Sequence, residues 1–261
     1  MKIIVCIKQV PNVKEVKWDP ETGNLIRTGL PSIINVNDKS AIEAALLLKE
    51  KYGGTVTVIS MGPPQVEEAL RDALGMGADN AFQICAKEFA GADCWATTYT
   101  LGCAIRTIGE FDLVLTGVEA MDGNTAQVGP ELARNLGVPV LSYVLNVEVQ
   151  DGKVRVEQKL GDATRVLEAP LPALITMHRD SCVPRVAPMD CVMEACEKDI
   201  PIWGPEEINA DPNECGIKGS PTRLRKVFTP KHSRGKVEIL GGDYNEAVEK
   251  LLAKFKEQYI I

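Results

Sequence analysis

The residues with the clearest chemical potential lie in a loop between a predicted strand and a predicted helix. The apolar run Leu113-Val114-Leu115 is typical of a strand buried on both faces. The polar loop Asp122-Gly123-Asn124-Thr125 follows, and then a helical pattern that closes at Gly137. Free N–H groups at a helix start, together with the positive end of its dipole, bind anions, most often phosphate. The stretch predicts a phosphate site, with an ordinary βα loop as the alternative interpretation.

The start of this helix is predicted to be irregular. Asn124 and Thr125 are both good N-caps, but Pro130 would then lie deeper than the first helical turn. We therefore expect Thr125 to Gly129 to offer unpaired backbone N–H groups.

The composition bounds the class of protein. The 261 residues are 45% hydrophobic and 25% charged, which is typical of a globular chain with a sizeable core. The net charge of −7 argues against nucleic-acid binding, which usually leaves a basic footprint. No signal-peptide pattern or spanning segment is found, and the eight cysteines contain no Cys-x-x-Cys pair. We expect a cytoplasmic protein with reduced thiols and no membrane span.

The order of predicted elements over residues 1–137 is a repeated βαβα pattern. Such a pattern predicts a parallel sheet with helices on both faces. The loops at residues 6–9, 60–63 and 117–129 then meet at the carboxyl edge of the sheet, where ligands of open α/β sheets bind. A small hairpin is predicted around residues 18–24, and an amphipathic helix over 40–49 with Asn37 or Asp38 as its cap.

The second half of the chain has a different pattern. Two-residue alternation and the turn Asp151-Gly152 predict an antiparallel ribbon over residues 144–167, followed by a buried strand at 173–176. A helix is predicted over residues 189–196. Residues 201–234 show little periodicity and are interpreted as an arm that lies on a partner, followed by an amphipathic helix over 244–259.

Several catalytic motifs are absent. There is no Gly-x-Gly-x-x-Gly, no Gly-x4-Gly-Lys-Ser/Thr and no Gly-x-Ser-x-Gly. The two histidines, His178 and His232, lie far apart without metal-ligand spacing. Because no self-sufficient catalytic centre or metal site is apparent, any chemistry is expected to belong to a bound cofactor.

Four motifs in register carry a resemblance to a known family. They are Cys-Ile-Lys-Gln-Val-Pro at 6–11, Ser-Met-Gly-Pro-Pro at 60–64 with Ala-Leu-Gly-Met-Gly-Ala-Asp at 73–79, Asp-Gly-Asn-Thr-Ala-Gln-Val-Gly-Pro at 122–130, and Pro-Thr-Arg-Leu-Arg-Lys-Val at 221–227. Together they resemble the beta subunit of electron transfer flavoprotein, and the resemblance covers essentially the whole chain.

The resemblance implies a fold and a partner. The fold is an α/β, Rossmann-like sheet of the adenine-nucleotide alpha-hydrolase-like type, with an antiparallel extension and a C-terminal arm. It implies a nucleotide-binding domain at residues 1–200 and an arm and helix at 201–261 that pack on an alpha subunit.

The resemblance also implies a cofactor, with two alternatives. Conventional members hold AMP in this subunit, whereas electron-bifurcating members hold a complete FAD that NADH reduces. That FAD passes one electron to ferredoxin or flavodoxin and the other, through the alpha-subunit FAD, to an acyl-CoA or other flavin dehydrogenase. The Thr-Ala-Gln-Val-Gly-Pro form of the loop resembles the bifurcating group and favours FAD over AMP. A purely structural AMP-binding subunit and a related enzyme acting on ATP remain alternatives.

The resemblance and the anion-site argument together assign the site residues. The backbone N–H groups of residues 125–129 and the Thr125 hydroxyl should bind phosphates, and Asp122 and Gly123 should shape the entry to the loop. Cys6 to Lys8, together with Asn35 to Asn37, should line the adenosine and ribose. Ser60 to Gly62 should close the cleft. The predicted cofactor-binding residues are Cys6, Ile7, Lys8, Asn35, Val36, Asn37, Ser60, Met61, Gly62, Asp122, Gly123, Asn124, Thr125, Ala126, Gln127, Val128, Gly129 and Pro130.

A second assignment concerns docking to the dehydrogenase. Arg185, Pro188 and Met189 match a recognition loop whose apolar residue, usually Leu, inserts into the dehydrogenase in the family. Met189 replaces that Leu here and is a flexible apolar anchor. The alternative is a core methionine at the start of a helix.

Overall fold

The computed structural model describes residues 1–12, 17–18, 25–26, 32–223 and 238–259. The chain divides into two units, Met1–Arg223 and Leu224–Ile261, and each is described by itself. Residues 19–24 of the predicted turns, residues 224–227 of the fourth motif, and His232 lie outside the described residues.

The first unit contains thirteen described strands and six described α-helices. The strands are β1 Lys2–Cys6, β2 Gln9–Pro11, β3 Lys17–Trp18, β4 Leu25–Ile26, β5 Ser32–Ile34, β6 Thr55–Met61, β7 Asn80–Ile84, β8 Leu113–Gly117, β9 Val140–Gln150, β10 Lys153–Leu160, β11 Ala163–Pro170, β12 Ala173–Met177 and β13 Ile202–Trp203. The helices are α1 Val36–Tyr52, α2 Val66–Met76, α3 Cys94–Ile108, α4 Val128–Leu136, α5 Met189–Glu197 and α6 Gly216–Gly219, with a short 3-10 helix at Lys87–Phe89.

The main sheet has nine strands in the order β11-β10-β9-β12-β8-β1-β6-β7-β13. The seven neighbouring strands β9, β12, β8, β1, β6, β7 and β13 pair in parallel. On its other side β9 pairs antiparallel with β10, and β10 pairs antiparallel with β11, so these three strands form an antiparallel ribbon. The predicted parallel sheet with an antiparallel extension is confirmed. Strand β12 lies between β8 and the ribbon, because it pairs in parallel with both β8 and β9.

Two apolar cores cover the two faces of the sheet. Side chains alternate along a buried strand, so Ile3 and Val5 of β1 lie in one core and Ile4 and Cys6 lie in the other. Helices α1 and α2 pack on the first face, and α3 and α4 pack on the second. The result is the three-layer arrangement that parallel sheets require.

The start of α1 differs from the prediction. The helix begins at Val36 with Asn35 as its N-cap residue, so the predicted caps, Asn37 and Asp38, lie inside the first turn. Their polar side chains reach other parts of the chain instead of the helix's own N–H groups. These long-range hydrogen bonds outweigh the local capping preference.

Helix α4 begins later than Asn124 or Thr125 would place it. Its N-cap residue is Gln127, so Pro130 is the third helical residue and its missing N–H falls in the first turn, where it costs no helical hydrogen bond. Gly137 ends the helix in the left-handed conformation, with φ of 73°, as predicted.

Residues 201–223 belong to the first unit. Strand β13 extends the sheet beside β7, and Trp203 stacks on Phe82 with ring centroids 4.2 Å apart. Ile208 and Cys215 are buried in the second core. Part of the predicted arm, residues 201–223, is thus folded into the first unit. Some of its apolar side chains are buried in the second core although they show no periodicity in the sequence. The domain division at residue 200 and the arm's packing on a partner stay predictions.

Smaller predicted features are also present. Strands β3 and β4 pair antiparallel, which confirms the small hairpin.

In the second unit, α7 Tyr244–Glu257 begins after Asp243, whose carboxylate accepts a hydrogen bond of 2.9 Å from the Glu246 N–H. The α7 residues Val248, Leu251 and Leu252 are 40–53% exposed. Within the described ranges, no helix has the length and apolar character that a membrane span requires.

We expect Gly129→Ala to lower the free energy of unfolding by about 1–3 kcal/mol. A Cβ atom at Gly129 would collide with the Thr176 methyl and lie 3.1 Å from Thr116 Oγ1, so α4 would have to move away from the sheet. Urea denaturation measures the change. Gly123→Ala is the matched control, because a Cβ atom there meets nothing within 4 Å; equal stability of both variants would contradict the close packing.

Candidate functional site

Two strand ends, a strand-following loop and the start of α1 meet at one point. Ser60 Oγ donates a 2.8 Å hydrogen bond to the Ile7 carbonyl and so joins β6 to the residues after β1. The backbone N–H groups of Lys8 and Gly117 both donate to the carboxylate of Asp38, at 2.7 and 3.0 Å. This is the carboxyl edge of the parallel sheet, where the sequence predicts the ligand site.

Asp38 is the buried centre of this junction. Its Oδ1 atom also accepts a hydrogen bond of 3.0 Å from Asn35 Nδ2, and the residue is 6% exposed. Burial raises the pKa of Asp38 to about 7, although the hydrogen bonds from Asn35, Lys8 and Gly117 oppose the rise. Burial, and then the charge of Asp38, raise the pKa of the Cys6 thiol far above its ordinary range, so Cys6 is a neutral thiol.

The two asparagines of the α1 start hold the loop that follows β8. Asn35 Nδ2 and Asn37 Nδ2 both donate to the Glu119 carbonyl, at 2.8 and 2.9 Å. Asn35 Oδ1 accepts a hydrogen bond of 3.2 Å from the Met121 N–H. The amide side chains therefore fix the path of the chain into residues 122–127.

The loop before α4 has the backbone geometry of an anion site. Asn124 and Ala126 have φ of 48° and 54°, which is uncommon for residues other than glycine. Ala126 is followed by Gln127 in the right-handed helical region, with φ of −96° and ψ of −32°, and a left-handed residue next to a right-handed one turns successive N–H groups toward one side, as in an anion-binding nest. Among the described residues, no acceptor is found for the N–H groups of Thr125, Ala126, Val128 and Gly129. Donors arranged in this way suit an anion such as a phosphate group.

Charge at the mouth of the loop is balanced. A carboxylate at Asp122 alone would repel a phosphate, but Lys8 Nζ lies 2.7 Å from Asp122 Oδ2. Both side chains are partly exposed. The Thr125 hydroxyl oxygen lies 3.4 Å from Cys94 Sγ, which places the start of α3 beside this loop.

The remaining predicted cleft residues have different degrees of exposure. Cys6, Ile7, Asn35 and Ser60 are buried and form the floor of the junction. The predicted residues that are partly or fully exposed are Lys8, Val36, Met61, Gly62, Asp122, Gly123, Asn124, Thr125, Ala126, Gln127, Val128 and Pro130. Asn37 and Gly129 are buried. The amide of Asn37 is satisfied by hydrogen bonds, and Gly129 packs closely on Thr116 and Thr176.

The only histidine within the described residues is not placed as a general base. His178 Nδ1 accepts a hydrogen bond of 3.1 Å from the Asp180 N–H. Burial, and then the charge of Lys159, lower the pKa of His178. The imidazole of His178 therefore stabilises the local turn at residues 178–180.

The predicted docking residues lie in a segment with alternating exposure. Met189 is 74% exposed and begins α5 at the surface, so it is not a core methionine. Val183 and Val186 are also almost fully exposed. Arg185 turns inward and its guanidinium binds Glu43 and Glu50 of α1. We call residues 183–189 the docking segment, after the role predicted for Arg185, Pro188 and Met189.

Comparison with known proteins identifies the family of the chain. Residues 22–207 match the family model described as the electron transfer flavoprotein domain. The chain belongs to the electron transfer flavoprotein family. Over the full length of both chains it is 44% identical to the caffeyl-CoA reductase-Etf complex subunit CarD of Acetobacterium woodii and 43% identical to the electron transfer flavoprotein subunit beta of Clostridium acetobutylicum. It is 40% identical to the protein FixA of Azorhizobium caulinodans, over 99% of this chain and 95% of the relative. The resemblance identified from the four motifs is confirmed.

The long-range roles of several residues of this electron transfer flavoprotein chain are not predictable from the sequence. Asp38 was assigned only as a helix cap, although it joins three segments. The sequence does contain one sign of these roles: three polar residues, Asn35, Asn37 and Asp38, cluster at the start of α1, ahead of its apolar residues. Nothing in the sequence indicated that Cys94 would lie beside Thr125.

We expect the contribution of Asp38 to stability to fall as pH rises from about 4 to about 7. The folded protein keeps this proton up to about pH 7, whereas the unfolded chain loses it near 3.8, so the folded state binds more protons in that window. The loss should reach up to about 4 kcal/mol. Urea denaturation of the parent and of Asp38→Asn across this range measures it as the difference between the two curves.

The exposed carboxylate of Asp162 provides the control for the pH series. Asp162→Asn should follow the parent at every pH. Parallel curves for the parent and Asp38→Asn would contradict a titrating buried carboxyl.

Proposed function

We propose that the chain is the beta subunit of a heterodimeric electron transfer flavoprotein that holds FAD at the carboxyl edge of its sheet. In this proposal the subunit accepts electrons from NADH. It passes them to a low-potential acceptor, ferredoxin or flavodoxin, and through the alpha-subunit FAD to a partner flavin dehydrogenase. The observation that carries the proposal is the stretch of residues 124–129, where four N–H groups for which the described residues offer no acceptor lie just before and at the start of α4.

The chain's own residues bind and orient the cofactor. When bound, the flavin supplies the one- and two-electron chemistry. The N–H groups of Thr125, Ala126, Val128 and Gly129 and the Thr125 hydroxyl would bind the phosphates, while Lys8 offsets the charge of Asp122. Asn35, Asn37 and Asp38 fix the surrounding loops, so the donors are in place before the cofactor arrives and binding costs less ordering entropy.

Two partners follow from the same proposal. Helix α7 leaves its apolar side chains exposed within its own unit, which supports packing on an alpha subunit. The relative from Acetobacterium woodii is named as a subunit of a complex with caffeyl-CoA reductase. We accordingly propose an acyl-CoA or other flavin dehydrogenase as the partner at the docking segment.

The second candidate function is that of a conventional beta subunit holding structural AMP. The N–H donors of the loop suit AMP as well as FAD, because both present a phosphate, whereas the Thr-Ala-Gln-Val-Gly-Pro form of the loop, by its resemblance to the bifurcating group, favours FAD. In that case the subunit docks an acyl-CoA dehydrogenase and has no redox flavin of its own.

A cofactor count on the co-expressed alpha–beta heterodimer tests the proposal. Acid extraction and chromatography should yield two FAD per heterodimer, and NADH should bleach the flavin absorbance. One FAD with one AMP and no bleaching by NADH would overturn the FAD and NADH assignments and leave the conventional function.

We expect Thr125→Val to weaken nucleotide binding by about 10- to 100-fold. The variant keeps the shape of the side chain but removes one hydrogen bond to a charged phosphate, which is worth about 1.5–3 kcal/mol. Equilibrium dialysis of FAD and of AMP against the nucleotide-depleted heterodimer measures the dissociation constants.

Thr164→Val is the matched control, since Thr164 is exposed on the edge strand β11. It should bind both nucleotides as the parent does. Unchanged affinity in Thr125→Val would remove the hydroxyl from the phosphate site.

A further inference from the structure

The docking segment is anchored by its one inward-facing charge. The guanidinium of Arg185 faces the carboxylate of Glu43, with Nε 2.9 Å from Oε2 and Nη2 2.9 Å from Oε1. The Arg185 N–H adds a third bond to Glu43 Oε2, at 2.9 Å. The Glu43 side chain is only 7% exposed. A buried carboxylate requires such a partner, because removing it would leave the charge uncompensated.

The same side of α1 holds the chain that leads to the docking segment. Ser40 Oγ donates to the Arg179 carbonyl at 3.2 Å, and Cys182 Sγ donates to the Ser40 carbonyl at 3.4 Å. Asn37 Oδ1 accepts a hydrogen bond of 3.0 Å from the Arg179 N–H. Asn37, Ser40 and Glu43 are spaced three residues apart, so neighbouring members lie along one side of the helix.

Asn37 connects this series of bonds to the nucleotide cleft. While its Oδ1 atom holds Arg179, its Nδ2 atom donates to the Glu119 carbonyl in the loop that leads to the phosphate site. A single amide side chain therefore contacts both segments. The contacts from Glu119 to Arg185 form a continuous path through α1.

We propose that Arg185 is a positioning residue, which clamps the docking segment to Glu43 so that α1 couples its order to occupancy of the nucleotide cleft. The exposed apolar side chains of Val183, Val186 and Met189 make the contact with the partner, and Arg185 holds them in place. This inference rests on the proposed docking function. It changes the predicted role of Arg185 from a partner contact to an internal clamp.

Hydrogen exchange in the alpha–beta heterodimer tests the clamp and the coupling. In the parent, amide exchange of residues 183–189 should slow at least about 5-fold when AMP or FAD is added to the nucleotide-depleted protein. In Glu43→Gln and Arg185→Lys, exchange should be fast with and without nucleotide, because the charged fork-to-carboxylate pairing is lost.

Glu50→Gln is the matched control. Glu50 also binds Arg185, with 2.7 Å between Nη1 and Oε1, but its side chain is 56% exposed. Because exposed ion pairs contribute little, this variant should exchange and respond to nucleotide as the parent does. A nucleotide response that is absent in the parent, or unchanged in Glu43→Gln and Arg185→Lys, would overturn the inference.

Electron transfer separates this inference from the docking proposal. The heterodimer is reduced chemically and mixed with an acyl-CoA dehydrogenase from the same organism, so that NADH has no part in the assay. Met189→Ala should raise the KM for the dehydrogenase at least about 5-fold with little change in kcat, and Glu43→Gln should do the same. If Met189→Ala has no effect, the docking function fails. If only Met189→Ala has an effect, docking stands and the positioning role of Arg185 is overturned.

Discussion

The buried carboxyl group of Asp38 is the constraint on which the candidate site of this molecule depends. Its two oxygens accept hydrogen bonds from Lys8 after β1, from Gly117 at the end of β8 and from Asn35 at the start of α1. Each donor belongs to a different segment, so one side chain determines how those segments meet. Gly117 has no room for a Cβ atom, because the Asp38 carboxylate and Asn37 occupy that space. The close approach and the hydrogen bonds thus require each other.

The sheet supplies the scaffold around this junction, and its two halves have different tasks. The parallel strands are apolar on both faces and carry two cores, which leaves their carboxyl ends as the place where polar groups collect. The ribbon of β9, β10 and β11 lies beyond β12 and has mostly exposed residues in its outer strand. Of the described strands, only those of the first kind lead into loops at the candidate site.

Much of this fold could be predicted because its signals are local. Leu113 to Leu115 indicated a doubly buried strand, Gly137 indicated the end of α4, and Asp151-Gly152 indicated the hairpin of the ribbon. The irregular start of α4 was likewise predictable from Pro130, which lies too deep for a regular helix capped by Asn124 or Thr125. Contacts between residues far apart in the sequence were not predictable. Examples are Asp38 with Gly117, Glu43 with Arg185, and the position of β12 between β8 and β9. Each depends on tertiary pairing, which the spacing of residues in a single sequence does not reveal. The cap of α1 was wrong for the same reason, since Asn37 and Asp38 serve distant backbone groups.

Recognition through backbone N–H groups has an evolutionary consequence for this loop. The donors at residues 125–129 belong to the main chain, so substitutions there can alter side chains and retain every donor, provided that positions 124 and 126 still tolerate a left-handed backbone. Backbone donors of this kind do not distinguish what is attached beyond a phosphate. If the proposed site holds, one adenine nucleotide can replace another without rebuilding this edge of the sheet, and a preference for the larger cofactor must come from surfaces outside the loop.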